Sequence, residues 1–339
     1  MTKNASTPSV RDEQFMRRAL STALQARLVS RPNPWVGAVV VAVDGSTYEG
    51  CTSALGGPHA EIHALRRAGE VARGSTLYTT LEPCSHTGRT GPCTQAIIDA
   101  GVQRVVVGIV DPDPKVAGTG ISALRAAGIE VELGVLAGQV HSQLLPYIHH
   151  RSTGMPFVVL KMASTLDGKT AAANGTSQWI TGASARQRVH ELRAESDAVV
   201  VGAGTIRADD PELTVRDAQG TSPRRIVLGS APPQAKVHPC TEYSGDLTAL
   251  LRKLGSEDVL QLLVEGGHHV AGAFHRAGLV NRYVFHFAPA IAGGDNAPGI
   301  FSGDAVGDIA NMWRGTISSV QQLDTDIEVV VEVRKENHE

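Results

Sequence analysis

The sequence predicts a two-domain α/β protein, on three observations. The chain has 339 residues, about twice the usual length of one domain, so each half can bury its own core. Short β-branched runs alternate with helical patterns of roughly ten residues along its length, the order that packs helices on a sheet. Glycine is abundant, 36 residues with no collagen period, as expected where many strands turn into helices. Aromatic residues make up only 4%, so Val, Leu, Ile and Ala must build the cores.

The elements follow in order. Phe15, Met16, Ala19, Leu20, Ala23, Leu24 and Leu28 recur every three to four positions and predict a helix over 12–30. The run VGAVVVAV over 36–43 reads as a strand stopped by Asp44-Gly45, with 47–51 returning as the second arm of a hairpin. A helix over 59–68 closed by Gly69, a strand over 76–81, a helix over 93–100 closed by Gly101, a strand over 104–110, a helix over 119–127 and a strand over 129–133 complete the first half. This pattern predicts a three-layer α/β/α sandwich with a mixed sheet. The stretch PYIHHRSTGMP over 146–156 is polar and marked by Pro and Gly, and the domain boundary is placed there, with domains over 1–148 and 149–339. Strands over 157–162, 198–202, 225–228, 259–264 and 283–288 then alternate with helices over 183–194, 246–254 and 270–277.

Composition limits the function. Thirty-one basic and thirty-four acidic residues give a net charge of −3, without the basic footprint that nucleic acid requires, so the expected partner is a small molecule. No apolar run approaches the 18 residues of a membrane span, and the first ten residues carry no signal-like apolar segment. Four cysteines are too few for a secreted disulfide scaffold. A cytoplasmic enzyme is expected, its paired cysteines serving metal or redox chemistry, and a homo-oligomer is the expected assembly.

The chemistry concentrates in two constellations. Pro58-His59-Ala60-Glu61 opens a helix, Glu82-Pro83-Cys84 follows a strand 25 residues after His59, and Cys93 opens the next helix. One imidazole and two thiolates leave a tetrahedral Zn2+ one open position for water, and thiolates near helix N-termini are stabilised as anions. His59 and Glu61 would diverge by about 200° on an ideal helix, so one of them must sit at the frayed first turn for Glu61 to act as proton shuttle beside the metal. The zinc-deaminase signature ends in C-x-x-C, whereas eight residues separate Cys84 from Cys93 here, an insert that points to a specialised small substrate. His63 reads as a core histidine rather than a fourth ligand, and Cys51 and Cys240 as small apolar fillers.

Asn33-Pro34 with VGAVVV, then PHAEIHAL, LEPCSHTGRTGPC and DPDPKVAGTG, resemble in that order the deaminase half of the bifunctional riboflavin-biosynthesis deaminase/reductase family, over roughly residues 12–137. The resemblance implies a cytidine-deaminase-like N-terminal domain holding Zn2+ on His59, Cys84 and Cys93, with Glu61 as the catalytic proton carrier. It also implies hydrolysis of the 2-amino group of 2,5-diamino-6-ribosylamino-4(3H)-pyrimidinone 5′-phosphate, with Asn33 on the pyrimidine and His86 and Arg89 on ring and phosphate. Asp113 stands where the family commonly has Asn, Gly91 where a second Pro is usual, and Thr52 where His is frequent.

The second constellation comprises KMASTLDGK at 161–169, SQWIT at 177–181, VGAGT at 201–205, RADDPELTVR at 207–216 and VEGG at 264–267. Paired glycines at strand-to-helix turns, here Gly202, Gly204, Gly266 and Gly267, allow a phosphate close to the backbone. Gly118-Thr119-Gly120 matches a dinucleotide fingerprint only in its letters, since seven residues separate it from the preceding strand. The ordered set resembles the reductase half of the same family, over about 156–295, and implies a C-terminal dihydrofolate-reductase-like domain that uses NADPH to reduce ribosyl to ribityl. By that resemblance Ser177, Arg193, Leu213, Arg216 and Glu265 line the substrate site. Ala163, Trp179, Thr205, Asp209 and the segment Gly267, His268, His269, Val270, Ala271, Gly272 and Ala273 line the NADPH site. Arg193 and Arg216 suit a phosphate clamp, and Lys161 could protonate the sugar oxygen as hydride arrives. The pairs His149-His150 and His268-His269 are not read as metal sites, because adjacent side chains point apart on regular structure.

Three rivals are separable. A nucleic-acid base deaminase requires a basic strand-binding face, which a charge of −3 does not suggest. A non-catalytic protein with structural zinc would tolerate Glu61→Gln. A paralogue acting on a related pyrimidine or pterin precursor is distinguished only by its substrate.

Overall fold

The computed structural model describes residues 9–86, 91–114 and 116–333. Two compact units divide at Thr153/Gly154.

The first unit runs α1 (Val10–Ala23), β1 (Gly37–Val41), β2 (Thr47–Cys51), α2 (Ala60–Ala68), β3 (Thr76–Leu81), α3 (Cys93–Asp99), β4 (Arg104–Ile109), α4 (Thr119–Ala126), β5 (Glu130–Leu133), α5 (Ala137–Gln143) and α6 (Leu145–Thr153). Its sheet has the order β2-β1-β3-β4-β5, with β1 antiparallel to both neighbours and β3, β4 and β5 parallel. Every residue of β1 is buried, as in a strand covered on both faces. Ser9 caps α1 by accepting from the Asp12 N–H. The helix stops at Ala23 and continues only as a 3-10 turn over Leu24–Ala26, short of the predicted 30. A Cβ on Gly37 would lie 1.9 Å from the Ala19 carbonyl oxygen, so glycine lets α1 lie directly on β1. Asp12 ties the same helix to the sheet, accepting from Tyr78 Oη at 2.8 Å and from Arg104 Nη1 at 2.8 Å.

The predicted boundary needs correction. Residues 145–153 form α6, with Pro146, Tyr147 and His150 buried, so the first unit extends five residues beyond 148. Pro146 is tolerated in the first turn, where its missing N–H has no intrahelical partner.

The second unit runs β6 (Phe157–Thr165), α7 (Ala183–Ala194), β7 (Ala198–Gly202), α8 (Ala203–Asp209), β8 (Arg224–Leu228), β9 (Thr241–Tyr243), α9 (Leu247–Ser256), β10 (Gln261–Val264), α10 (His268–Arg276), β11 (Arg282–Ala288), β12 (Gly315–Leu323) and β13 (Asp326–Val333). Its sheet has the order β12-β13-β11-β6-β10-β7-β8-β9; the strands from β11 to β9 pair in parallel, and the C-terminal hairpin pairs antiparallel. Val158, Leu160, Val200, Leu262, Val264, Leu254 and Phe274 belong to one core, confirming that aliphatic residues carry it. The hairpin of β12 and β13 is absent from the sequence reading.

Candidate functional site

His59 caps α2 with extended backbone, φ −76° and ψ 167°, while Glu61 lies in the first helical turn and is 4% exposed. The helical divergence therefore does not apply, and both side chains reach one cleft. Cys84 follows β3 and Cys93 begins α3, where its backbone N–H points to the Cys84 sulfur at 3.4 Å. His59 Nδ1 lies 3.6 Å from Cys84 Sγ and 3.3 Å from Cys93 Sγ. Tetrahedral Zn2+ with its usual bond lengths separates a nitrogen from a sulfur ligand by about 3.6 Å, so the donor set fits the ion. Among the described residues this is the one His, Cys, Asp or Glu cluster with such convergence, and it contains three ligands rather than four. Hydrogen bonds from Cys93 and His59 hold the Cys84 thiol well below its ordinary range. Burial pushes the Glu61 carboxyl up to about 7, against the opposing pull of His59.

The loop carrying Cys84 is pinned from behind. Glu82 Oε1 accepts from the N–H groups of Gly120 and Ile121 at 2.9 and 3.1 Å, and Oε2 from those of Gly118 and Asp111 at 2.9 and 3.2 Å. Gly118-Thr119-Gly120 is thus the N-terminus of α4 closing on a carboxylate, and a Cβ on Gly120 would fall 1.9 Å from the Pro83 oxygen.

A cleft of about 320 Å³ gathers Asn33, His59, Glu61, Cys84 and His86, from three widely separated stretches of sequence. Arg89 lies outside the described residues. Thr52 and Asp113 also line this cleft; Thr52 Oγ1 accepts the Val36 N–H at 3.0 Å, and the Asp113 N–H donates to Asp111 Oδ1 at 2.9 Å. Three lining residues went unrecognised in the sequence: Asp111, Tyr147 and Arg151. Tyr147 Oη donates to Asp111 at 3.2 Å, and burial pushes the Asp111 carboxyl up to about 6. His63 bonds Ser53 Oγ at 2.7 Å, away from the metal ligands.

In the second unit, Arg193 and Glu265 form a two-pronged ion pair, with Nε and Nη2 each 2.7 Å from a carboxylate oxygen. Arg193 Nη1 donates to the Thr214 carbonyl at 3.2 Å. The Arg193 fork is engaged by Glu265 here, and Arg216, half exposed, has one of its nitrogens 2.6 Å from Glu212. Lys161 stands on β6 in register with Val284; burial lowers its ammonium to about 8, Glu265 being the strongest influence in the opposite direction. Ala163 is opposite His286, whose Nε2 meets Glu328 at 2.9 Å. Ser177 Oγ donates to Asp209 at 3.0 Å, joining one expected substrate residue to one expected cofactor residue. Trp179 is 70% exposed beneath the Arg186 guanidinium, 4.7 Å from its ring centre. Leu213 is buried with φ 55°, so it shapes the chain more than it offers contact surface.

Strands β7 and β10 are parallel neighbours, so α8 and α10 begin side by side at their C-terminal ends. A Cβ on Gly267 would sit 3.4 Å from Thr205 Oγ1, whereas one on Gly266 would collide with Val270 at 2.4 Å and one on Gly202 with Val270 at 2.8 Å. Packing against Val270 thus by itself requires glycine at Gly202 and Gly266. Within 267–273, Ala271 and Gly272 are buried on the inner face of α10, and Gly267, His268 and His269 carry the accessible surface. The His268 and His269 rings are 4.2 Å apart, contrary to the divergence expected of adjacent side chains, because they occupy the first turn of α10.

Comparison with known proteins identifies both units. Residues 9–109 match the family model of the cytidine and deoxycytidylate deaminase zinc-binding region, and residues 156–329 that of the RibD C-terminal domain. The riboflavin biosynthesis protein RibD of Escherichia coli K12 is 39% identical, over 84% of this chain and 90% of that protein. Its counterpart in Mycobacterium tuberculosis H37Rv is 40% identical, over 93% and 95%. Acinetobacter baumannii RibD superposes with a TM-score of 0.89 at 37% identity, covering 96% of this chain and 99% of that one. A Thermotoga maritima diaminohydroxyphosphoribosylaminopyrimidine deaminase/5-amino-6-(5-phosphoribosylamino)uracil reductase superposes with a TM-score of 0.85 at 34% identity, over 95% and 99%.

Proposed function

The chain belongs to the RibD family of bifunctional riboflavin-biosynthesis enzymes, and from that premise we propose how its own residues divide the two reactions. It is a zinc-dependent deaminase and an NADPH-dependent reductase, a cytidine-deaminase-like unit followed by a dihydrofolate-reductase-like one. The first reaction hydrolyses the 2-amino group of 2,5-diamino-6-ribosylamino-4(3H)-pyrimidinone 5′-phosphate. The second reduces the ribosyl group of 5-amino-6-(5-phosphoribosylamino)uracil to ribityl.

The observation that carries the deaminase assignment is the convergence of His59, Cys84 and Cys93 beside buried Glu61 in the cleft that also holds Asn33 and His86. The three ligands would hold Zn2+, which when bound would supply Lewis-acid activation of a water near neutral pH. Glu61 takes a proton from the attacking water and delivers it to the departing amino group, which leaves as ammonia. Asn33 orients the pyrimidine ring, and His86 closes the cleft over it.

In the reductase unit NADPH, when bound, would supply the hydride. Thr205, Gly267 and His268 would hold the cofactor, where free N–H groups at the start of α10 favour an anion. Lys161 gives a proton to the ribose ring oxygen as C1′ receives hydride, and the Arg193–Glu265 pair fixes the wall beside it. A cytoplasmic location is supported by a metal site that needs two reduced thiols. A homo-oligomer is supported by β12, an edge strand exposing Ile317 and Val320 at 62% and 61%. Sedimentation as a monomer at assay concentration would count against that assembly. The catalytic reading is tested by incubating the purified protein with the diaminopyrimidinone phosphate and NADPH: ammonia release should precede NADPH oxidation, and a zinc-loaded protein that releases no ammonia would refute it.

A further inference from the structure

We propose that His190, on α7, is a positioning residue that holds the loop carrying Leu213 and Arg216 in place for the reductase substrate; this rests on the reading that those two residues line that site. Residues 210–223 lie between α8 and β8 in neither helix nor strand, so no strand ladder fixes where Arg216 points. Two contacts orient its guanidinium within the loop: Nη1 donates to Glu212 at 2.6 Å and to Thr214 Oγ1 at 3.0 Å. Both partners travel with the loop, and neither ties it to the rest of the unit.

The tie comes from α7. His190 and Arg193 are three residues apart, hence on one face of the helix, and both reach the Thr214 carbonyl, His190 Nδ1 at 3.0 Å and Arg193 Nη1 at 3.2 Å. The Arg216 N–H points at the same Nδ1 from 3.3 Å, so one ring nitrogen spans the peptide groups on either side of Val215. A protonated Nδ1 donates to the carbonyl and a bare one accepts from the N–H, so the ring keeps hold of this segment in either tautomer. Its Nε2 lies 3.5 Å from Asp217, and the ring is buried. Leu213, just before the segment, is buried with φ 55°, a left-handed backbone that a branched side chain adopts only where its surroundings impose it. Arg193 is committed to Glu265 through its other nitrogens. The polar contacts of His190, by contrast, all go to the loop: the Thr214 carbonyl, the Arg216 N–H and Asp217. It sets Arg216 without touching the substrate itself.

The test is steady-state NADPH oxidation by the full-length protein, with 5-amino-6-(5-phosphoribosylamino)uracil varied at saturating NADPH and the reverse. His190→Phe fills the place of the ring without a polar atom. It should raise the KM for the uracil substrate about tenfold, as for the loss of one or two hydrogen bonds, and leave kcat and the KM for NADPH within about twofold of wild type. His190→Asn carries a polar atom near the Nδ1 position and should recover most of that loss; His190→Gln, whose amide falls nearer the Nε2 position, should not. In an Arg216→Ala background His190→Phe should cost nothing more, because the group it positions is gone. An unchanged KM for the uracil substrate in His190→Phe, equal values in His190→Asn and His190→Gln, or the same fold-loss with and without Arg216 overturns the proposal. Should His190→Phe fail to fold, the His190→Asn and His190→Gln pair decides alone. Arg216→Ala with a wild-type KM overturns instead the reading that this loop lines the substrate site.

Discussion

Replacing Glu265 by glutamine separates two effects that the reductase site combines. Glu265 receives two 2.7 Å hydrogen bonds from Arg193, and the two side chains are only 11% and 10% exposed. Removing one partner of a buried ion pair costs about 3–5 kcal/mol, because the remaining charge is left uncompensated; glutamine keeps one acceptor, so about 2–3 kcal/mol is expected from Glu265→Gln. Urea unfolding of the full chain should show this loss in the transition of the second unit alone. The same substitution acts on Lys161, which burial lowers to about 8 while the Glu265 charge pulls the other way. A proton donor works below its pKa and fails above it, so wild-type NADPH oxidation should decline as pH rises through about 8. Without Glu265 the ammonium is less stable, and that decline should move down by about one pH unit, equivalent to about 1.4 kcal/mol. A decline that stays in place or moves upward would refute Lys161 as the titrating donor, whatever the stability result.

Three further outcomes follow from named contacts. Glu61→Gln should lower ammonia release by about 10²- to 10⁴-fold while NADPH oxidation on the deaminated substrate persists, as read from separate assays of the two steps. Asp12→Asn should destabilise the first unit by about 2 kcal/mol at neutral pH, since hydrogen bonds from Arg104, Ser9 and Tyr78 hold that carboxyl near about 2 rather than 3.8 despite burial. A depressed pKa contributes stability above the unfolded value, so the difference between the proteins should shrink as pH falls from about 4 to about 2. Gly120→Ala places a Cβ 1.9 Å from the Pro83 oxygen and should displace the Cys84 loop, lowering zinc retention during dialysis against a chelator while the reductase rate holds.

The parts of this fold with strong period or punctuation were legible in the sequence. Thr76–Leu81, Ala183–Ala194 and Ala198–Gly202 lie where predicted, because each is a clean run between breakers. The strands of the C-terminal hairpin were missed for different reasons. Asp326–Val333 is a β-branched run that strand propensity would have found, whereas Gly315–Leu323 is exposed along nearly its whole length and shows no alternation. Helix α6 was hidden by Pro146 and by the polar His149-His150-Arg151 run, whose helical face becomes visible only when Tyr147 meets Asp111. The metal ligands were legible because each belongs to a local motif at a helix or strand end. Tyr147 and Arg151 belong to none, and Asp111 stands in DPDPKVAGTG without a role that the motif discloses; the fold brings them to the cleft. The fates of Ala271 and Gly272 show the converse, since a binding segment on a helix turns part of itself into the core.

One chain performs two consecutive reactions, deamination first. The direct measurement is a time course with the diaminopyrimidinone phosphate and NADPH, comparing wild type with Glu61→Gln. Wild type should release ammonia and then oxidise an equal amount of NADPH. Glu61→Gln should do neither until the deaminated intermediate is added, after which NADPH oxidation should proceed at the wild-type rate. NADPH oxidation by Glu61→Gln on the diamino substrate, without ammonia release, would contradict the order and the division of labour between the two units.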